Sequence, residues 1–238
     1  MTWVAGADGC RGGWIVALSP LGEVAQTTFR LVPTFADALM LPERPEVLAV
    51  DMPIGLLSAA VPGGRPCDTL ARKILGRPRA SSVFTPPVRQ ALAADDYREA
   101  LAINRASSPA GLGISIECFY LFRKLREVDA ALTPHRQRRI KETHPELAFA
   151  ALKGGAGVQQ PKRSAGGRAL RQRLLRRAGF RGPTKALKAF RAKDVQPDDL
   201  LDACALLWSA ARIARGEATR LPARPERDET GLAMEIWF

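Results

Sequence analysis

The sequence predicts an α/β fold organised on a mixed sheet, and three observations predict it. Residues 3–8 and 13–19 are rich in apolar and β-branched side chains and flank the glycine-rich turn Gly9-Cys10-Arg11-Gly12-Gly13, as in two antiparallel strands. A third stretch at 24–31 follows the turn Ser19-Pro20-Leu21-Gly22 and extends the meander. The run Val47-Leu48-Ala49-Val50 is apolar throughout, as in a strand covered on both faces, and a short helix at 35–41 before it makes it a parallel neighbour of the first strand.

The remaining elements are mostly helical. Thr34 suits the N-cap of the 35–41 helix. A helix at 67–75 is stopped by Gly76 and followed by a basic loop at 77–87. Helices at 95–105 and 116–132 come next, the second with Ile116, Phe119, Leu121, Phe122, Leu125 and Val128 at the spacing of a packing face. A fifth strand is expected at 138–143, leading through His144-Pro145-Glu146 into a helix that ends near Leu152. Basic helices at 167–178 and 184–190 follow the loop Gly154-Gly155-Ala156-Gly157. A long apolar helix starts at Pro197 and is ended by Gly216, and the tail at 231–238 is expected to add an edge strand or pack on the core. With no internal repeat and no clean boundary, the chain reads as a single domain, 1–238. It carries a helical insertion at about 57–136 and a basic helical segment at about 160–193.

Composition narrows the function classes. Of 238 residues, 46% are hydrophobic, enough for a sizeable core. No apolar run approaches the ~18–20 residues of a membrane span, so no membrane partner is expected. Met1-Thr2-Trp3 lacks the basic and apolar regions of a signal peptide, which makes the cytoplasm the expected compartment. Cys10, Cys67, Cys118 and Cys204 are far apart and form no CxxC pair, which argues against structural zinc and a disulfide framework. The formal net charge is +12, and residues 162–193 hold twelve Lys and Arg with no Asp or Glu. Such a stripe attracts polyanions, so nucleic acid is the expected partner, contacted through Arg11, Lys162, Arg168 and Arg171. A homodimer stays open.

The carboxylates carry the chemistry. Asp8 stands where a buried strand ends, and a carboxylate there needs a partner or a cation. Asp51 follows a strand parallel to the first, so it lies near Asp8. Asp199 and Asp202 are three apart and share a helix face, roughly 5–6 Å apart at Cβ. Asp198 and Asp199 also suit the first turn of a helix as capping acids, whereas Asp202 lies deeper. Two unit charges ~4 Å apart repel by roughly 4 kcal/mol at an effective dielectric of 20, so a convergence of these acids calls for protons or a divalent cation. Oxygen ligands alone suit magnesium or manganese. Thr143-His144-Pro145-Glu146 has the form of a capping box, and Glu142, His144 and Glu146 are also candidates for the same sheet edge.

Five stretches together resemble domain-of-unknown-function family 429. They are Gly9-Cys10-Arg11-Gly12-Gly13-Trp14, Asp51-Met52-Pro53-Ile54-Gly55, Ser81-Ser82-Val83-Phe84, His144-Pro145-Glu146 and Asp198-Asp199-Leu200-Leu201-Asp202-Ala203. That family is described as predicted nucleases of the ribonuclease H fold. The resemblance implies a ribonuclease H-like mixed five-stranded sheet in the order 3-2-1-4-5, with helices on both faces. The acids are also similar to the four-carboxylate arrangement of RuvC-type junction resolvases. By that likeness Asp8 and Asp202 bind metal directly and Asp51 and Asp199 complete the set. Asp51 departs from the pattern, since the second acid of those resolvases is Glu.

The expected function is hydrolysis of phosphodiester bonds in DNA or RNA by a nuclease in which Asp8, Asp51, Asp199 and Asp202 hold magnesium or manganese. One alternative is a nucleic-acid-binding protein without turnover. Another is a nucleotide-binding or hydrolysing enzyme, because the turn after Asp8 resembles the phosphate loop of actin-like ATPases.

Overall fold

A computed structural model describes residues 1–238. Strands β1 (Trp3–Cys10), β2 (Gly13–Pro20), β3 (Thr28–Val32), β4 (Val47–Val50) and β5 (Ile140–Glu142) form one mixed sheet in the order β3-β2-β1-β4-β5. This is the order the resemblance implies. The first three strands are antiparallel, while β4 is parallel to β1 and β5 to β4. The β1–β2 hairpin turns on Arg11 and Gly12. Gly13 at φ 130° is required beyond it, because a Cβ there would meet the Val32 carbonyl oxygen at 2.1 Å.

Period-two alternation gives the sheet two working faces. Ala5, Ala7, Val16, Leu48 and Val50 face one core with helices α1 (Phe35–Leu39), α3 (Tyr97–Ala106), α4 (Ile116–Tyr120) and α5 (Phe122–Ala131). Val4, Ile15, Ala17, Val47 and Ala49 face a second core with α6 (Pro145–Lys153), α7 (Ala165–Arg177) and α8 (Pro197–Ala214). The helix α2 (Pro66–Leu75) packs against α6 and the C-terminal tail in a smaller third cluster. In that tail, β6 (Arg220–Leu221) pairs with β7 (Ile236–Trp237), and Trp237 bridges in parallel to Thr143 just past β5.

The α8 helix lies flush on β1 because Gly6 leaves room for it. A Cβ at Gly6 would sit 2.2 Å from the Leu207 nitrogen and 2.5 Å from the Ala203 oxygen. The contact is therefore main chain against main chain.

Three expected elements differ. The third strand begins at Thr28, because Val24–Gln26 forms a 3-10 turn closed by the Thr27 hydroxyl donating to the Val24 carbonyl at 2.6 Å. The helix expected at 116–132 breaks at Leu121, where the chain tightens to a bond from the Leu121 nitrogen to the Cys118 oxygen. The helix expected at 184–190 is a 3-10 run, Pro183–Ala189. No helix is long and apolar enough to cross a membrane.

Candidate functional site

The parallel register places two acids side by side. Ala7 is opposite Val50, and the Asp51 nitrogen donates to the Ala7 oxygen at 3.2 Å, so Asp8 and Asp51 lie level on adjacent strands. Asp8 shares the face of Val4 and Gly6, over which α8 runs, and α8 carries Asp202 near its start. Both Asp8 and Asp202 are buried. Gln196 and Asp199 form a capping box at the α8 N-terminus, with the Gln196 nitrogen donating to Asp199 Oδ2 at 2.8 Å. Asp199 thus has a structural bond while still lining the cleft above Asp8.

Burial and mutual repulsion act on these acids. Asp8 is raised well above the usual carboxylate range, first by burial and then by the charges of Asp202 and Asp51. Burial also raises Asp51, against the pull of His144 and Lys162. Asp202 is pushed up to about 6 by burial, again opposed by Lys162. The Lys162 ammonium donates to Asp202 Oδ2 at 2.7 Å and lies 3.9 Å from Asp198. Its own pKa is raised, chiefly by Asp202. Burial pushes the nearby Cys10 thiol up to about 11, which leaves it a poor nucleophile at neutral pH.

Asp8, Asp51, Asp198 and Asp199 line a cleft of about 980 Å³ with a basic rim made by Arg11, Lys124, Lys162, Arg163 and Arg168, while Asp202 is buried outside its lining. Of the expected phosphate contacts, Arg11, Lys162 and Arg168 therefore reach the site. Arg171 does not. It is buried, donates to Glu146 Oε1 at 2.5 Å and to the Gln160 carbonyl at 3.2 Å, and lies with its guanidinium near the Phe149 ring. Its position among Gly167, Leu174 and Leu175 on the inner side of α7 makes it a structural cation.

Glu142 is also corrected. It is in register with Val50, one residue before Asp51, so its side chain points to the opposite face of the sheet from Asp8. There it accepts from the Ile54 nitrogen at 2.6 Å and from both terminal nitrogens of buried Arg65, which also pairs with Asp68. Arg65 donates in turn to the Ile54 and Gly55 carbonyls, so this cluster clamps the loop that leaves Asp51. Glu146 is buried beside the acids, and its charge raises both Asp51 and Asp202. His144 lines the cleft, yet both ring nitrogens are engaged: Nδ1 accepts from the Glu146 nitrogen and Nε2 meets the Ser82 carbonyl, each at 3.2 Å.

Lys124, Arg163 and Tyr120 line the cleft without having been singled out in the sequence. Lys124 donates to the Gly13 carbonyl and lies over the Trp14 ring, which fixes it beside the first turn. Its signal was its place on the charged side of the α5 pattern.

The donor chemistry fits a hard divalent cation. Asp202 Oδ1 and Glu146 Oε2 are buried acceptors with no hydrogen-bond partner, next to acids that repel one another. An all-oxygen set of this kind suits magnesium or manganese. The carboxylates are not drawn together as a ready set of three ligands, and Lys162 occupies the second oxygen of Asp202.

No curated protein and no solved structure matches the chain. A family model described as protein of unknown function (DUF429) matches residues 6–227, which include Asp8, Asp51, Asp199 and Asp202. The chain therefore belongs to domain-of-unknown-function family 429.

Proposed function

We propose that the protein is a metal-dependent nuclease that hydrolyses phosphodiester bonds in DNA or RNA. The observation that carries this reading is an acidic floor of Asp8, Asp51 and Asp199 beneath a rim of arginines and lysines in one cleft, with the charge of buried Asp202 acting on Asp8. Asp8, Asp51 and Asp202 would hold magnesium or manganese, with Asp199 at the edge of the set. When bound, such an ion lowers the pKa of a water and neutralises charge on the phosphate. Arg11, Lys124, Arg163 and Arg168 hold the flanking phosphates as point charges and forks. In the reaction a water oxygen bonds to phosphorus while the P–O bond to the leaving strand breaks. One water proton ends on the departing oxygen, giving a phosphomonoester and an alcohol. All four cysteines are free and buried, which supports a reducing compartment such as the cytoplasm.

The test is cleavage of end-labelled oligonucleotides with manganese by wild type and Asp8→Asn, each checked for folding by circular dichroism. Asp8→Asn is expected to lose more than the roughly 10–100-fold that loss of a supporting residue costs a metal site, while binding persists. Equal cleavage by both proteins would falsify the reading. The closed Lys162–Asp202 pair favours a second reading, a nucleic-acid-binding protein without turnover. Salt-dependent binding with no product from wild type would select it.

A further inference from the structure

We infer that the cleft takes single-stranded nucleic acid and that Tyr120 stacks on an unpaired base, an inference that rests on the nuclease reading of the same cleft. Tyr120 ends α4 and is 73% exposed, whereas every other aromatic ring of the chain is buried or half-buried. Its neighbours show what the position gives up. Phe119 and Phe122 turn inward and pack on each other with centroids 5.0 Å apart. Tyr120, on the opposite side of the helix from Cys118 and Phe122, stands on the cleft wall and is stacked on no other ring.

The surroundings of the ring define the ligand chemistry. Lys124, four residues on, lines the same cleft, as do Arg163, 3.9 Å from Asp198 at the start of α8, and Arg168. Phe84, half-buried against the main core, adds a second aromatic surface to the lining. Cationic groups that track a backbone, combined with an exposed aromatic face, are the equipment of single-strand binders. Within a duplex both faces of each base are covered by adjacent pairs. An exposed tyrosine ring therefore finds a partner only on a base that is unpaired, terminal or turned out of the helix. Stacking is tolerant of base identity, so the expected preference is for strandedness rather than sequence.

The test is fluorescence anisotropy in chelator, so that no cleavage occurs. The probes are a labelled single-stranded oligonucleotide, its duplex, and an all-abasic strand of the same length. Wild type is expected to bind the base-bearing single strand at least about tenfold more tightly than the duplex. Tyr120→Ala should lose about tenfold on the base-bearing strand, the scale of one base–aromatic stack, and nothing on the abasic strand. Tyr120→Phe should bind like wild type. Equal affinity for duplex and single strand, or Tyr120→Ala equal to wild type on the base-bearing strand, overturns the inference. The two readings fail separately. A Tyr120-dependent affinity without Asp8-dependent cleavage removes the nuclease alone, and Asp8-dependent cleavage without a Tyr120 effect removes the stacking alone.

Discussion

The Lys162 ammonium donates to Asp202 Oδ2 at 2.7 Å, joining the loop before α7 to the start of the buried helix α8. This contact supplies a single positive charge to a group of acids that repel one another, and it leaves the other oxygen of Asp202 without a partner. On the proposed reading a divalent ion would offer more charge and more coordination at the same place, and the two cations would compete for Asp202.

Lys162→Met tests that competition. Without metal the variant leaves a buried acceptor without its donor, and its stability should fall by about 1–3 kcal/mol in urea titrations. With the ammonium gone, manganese affinity measured by calorimetry should rise. Weaker manganese binding by Lys162→Met would show that the lysine supports the metal site rather than competes with it.

The acids also set a pH dependence. Asp202 is raised to about 6 and Asp8 is raised well above the usual range, each chiefly by burial, against roughly 4 in the unfolded chain. Between those values the folded state holds more protons than the unfolded state, so these groups lower stability as pH rises through the window. Asp8→Asn removes one of them and part of the repulsion. In chelator, the thermal midpoint of Asp8→Asn relative to wild type should therefore increase from pH 4.5 to pH 7. A difference that stays constant or shrinks would mean that Asp8 is not raised in the folded state by burial and the charges of its neighbours.

Two arginines in one helix should behave oppositely. Arg171 pairs with Glu146 in the interior, whereas Arg168 lines the cleft. Arg171→Met leaves a buried carboxylate uncompensated and should cost about 3–5 kcal/mol of stability with little change in the affinity of the folded fraction for nucleic acid. Arg168→Ala should leave stability within about 0.5 kcal/mol and reduce the salt dependence of binding by about one counterion. An affinity loss confined to Arg171→Met would return that residue to the binding surface.

The sheet was legible because its signals are local. A short crossover between two apolar runs forces β4 beside β1, and with it Asp51 beside Asp8. The face of Glu142 was not legible, since a shift of one residue in register reverses every side chain, and Arg138 to Thr143 has no alternation to fix it. The fate of Arg171 was partly encoded. Gly167, Arg171, Leu174 and Leu175 follow the spacing of a buried helix stripe, but the abundance of arginine around them hid it. The break at Leu121 had no signal, because apolar residues stand on both sides of it.

At Gly6 the α8 backbone sits where a side chain would otherwise stand, with the Leu207 nitrogen 2.2 Å from the place of a Cβ. Asp8 lies two residues along one of these backbones and Asp202 next to Ala203 on the other, so their spacing is inherited from the polypeptide itself. The groups that meet a ligand first, such as Arg11, Tyr120 and Arg163, come instead from a hairpin turn, a helix end and a loop. On the nuclease reading, reactivity and recognition would thereby be housed in separate parts of the molecule. On that reading the rim could be redesigned to accept a different strand while the acids keep their places, whereas a methyl group added at Gly6 would disturb the acids first.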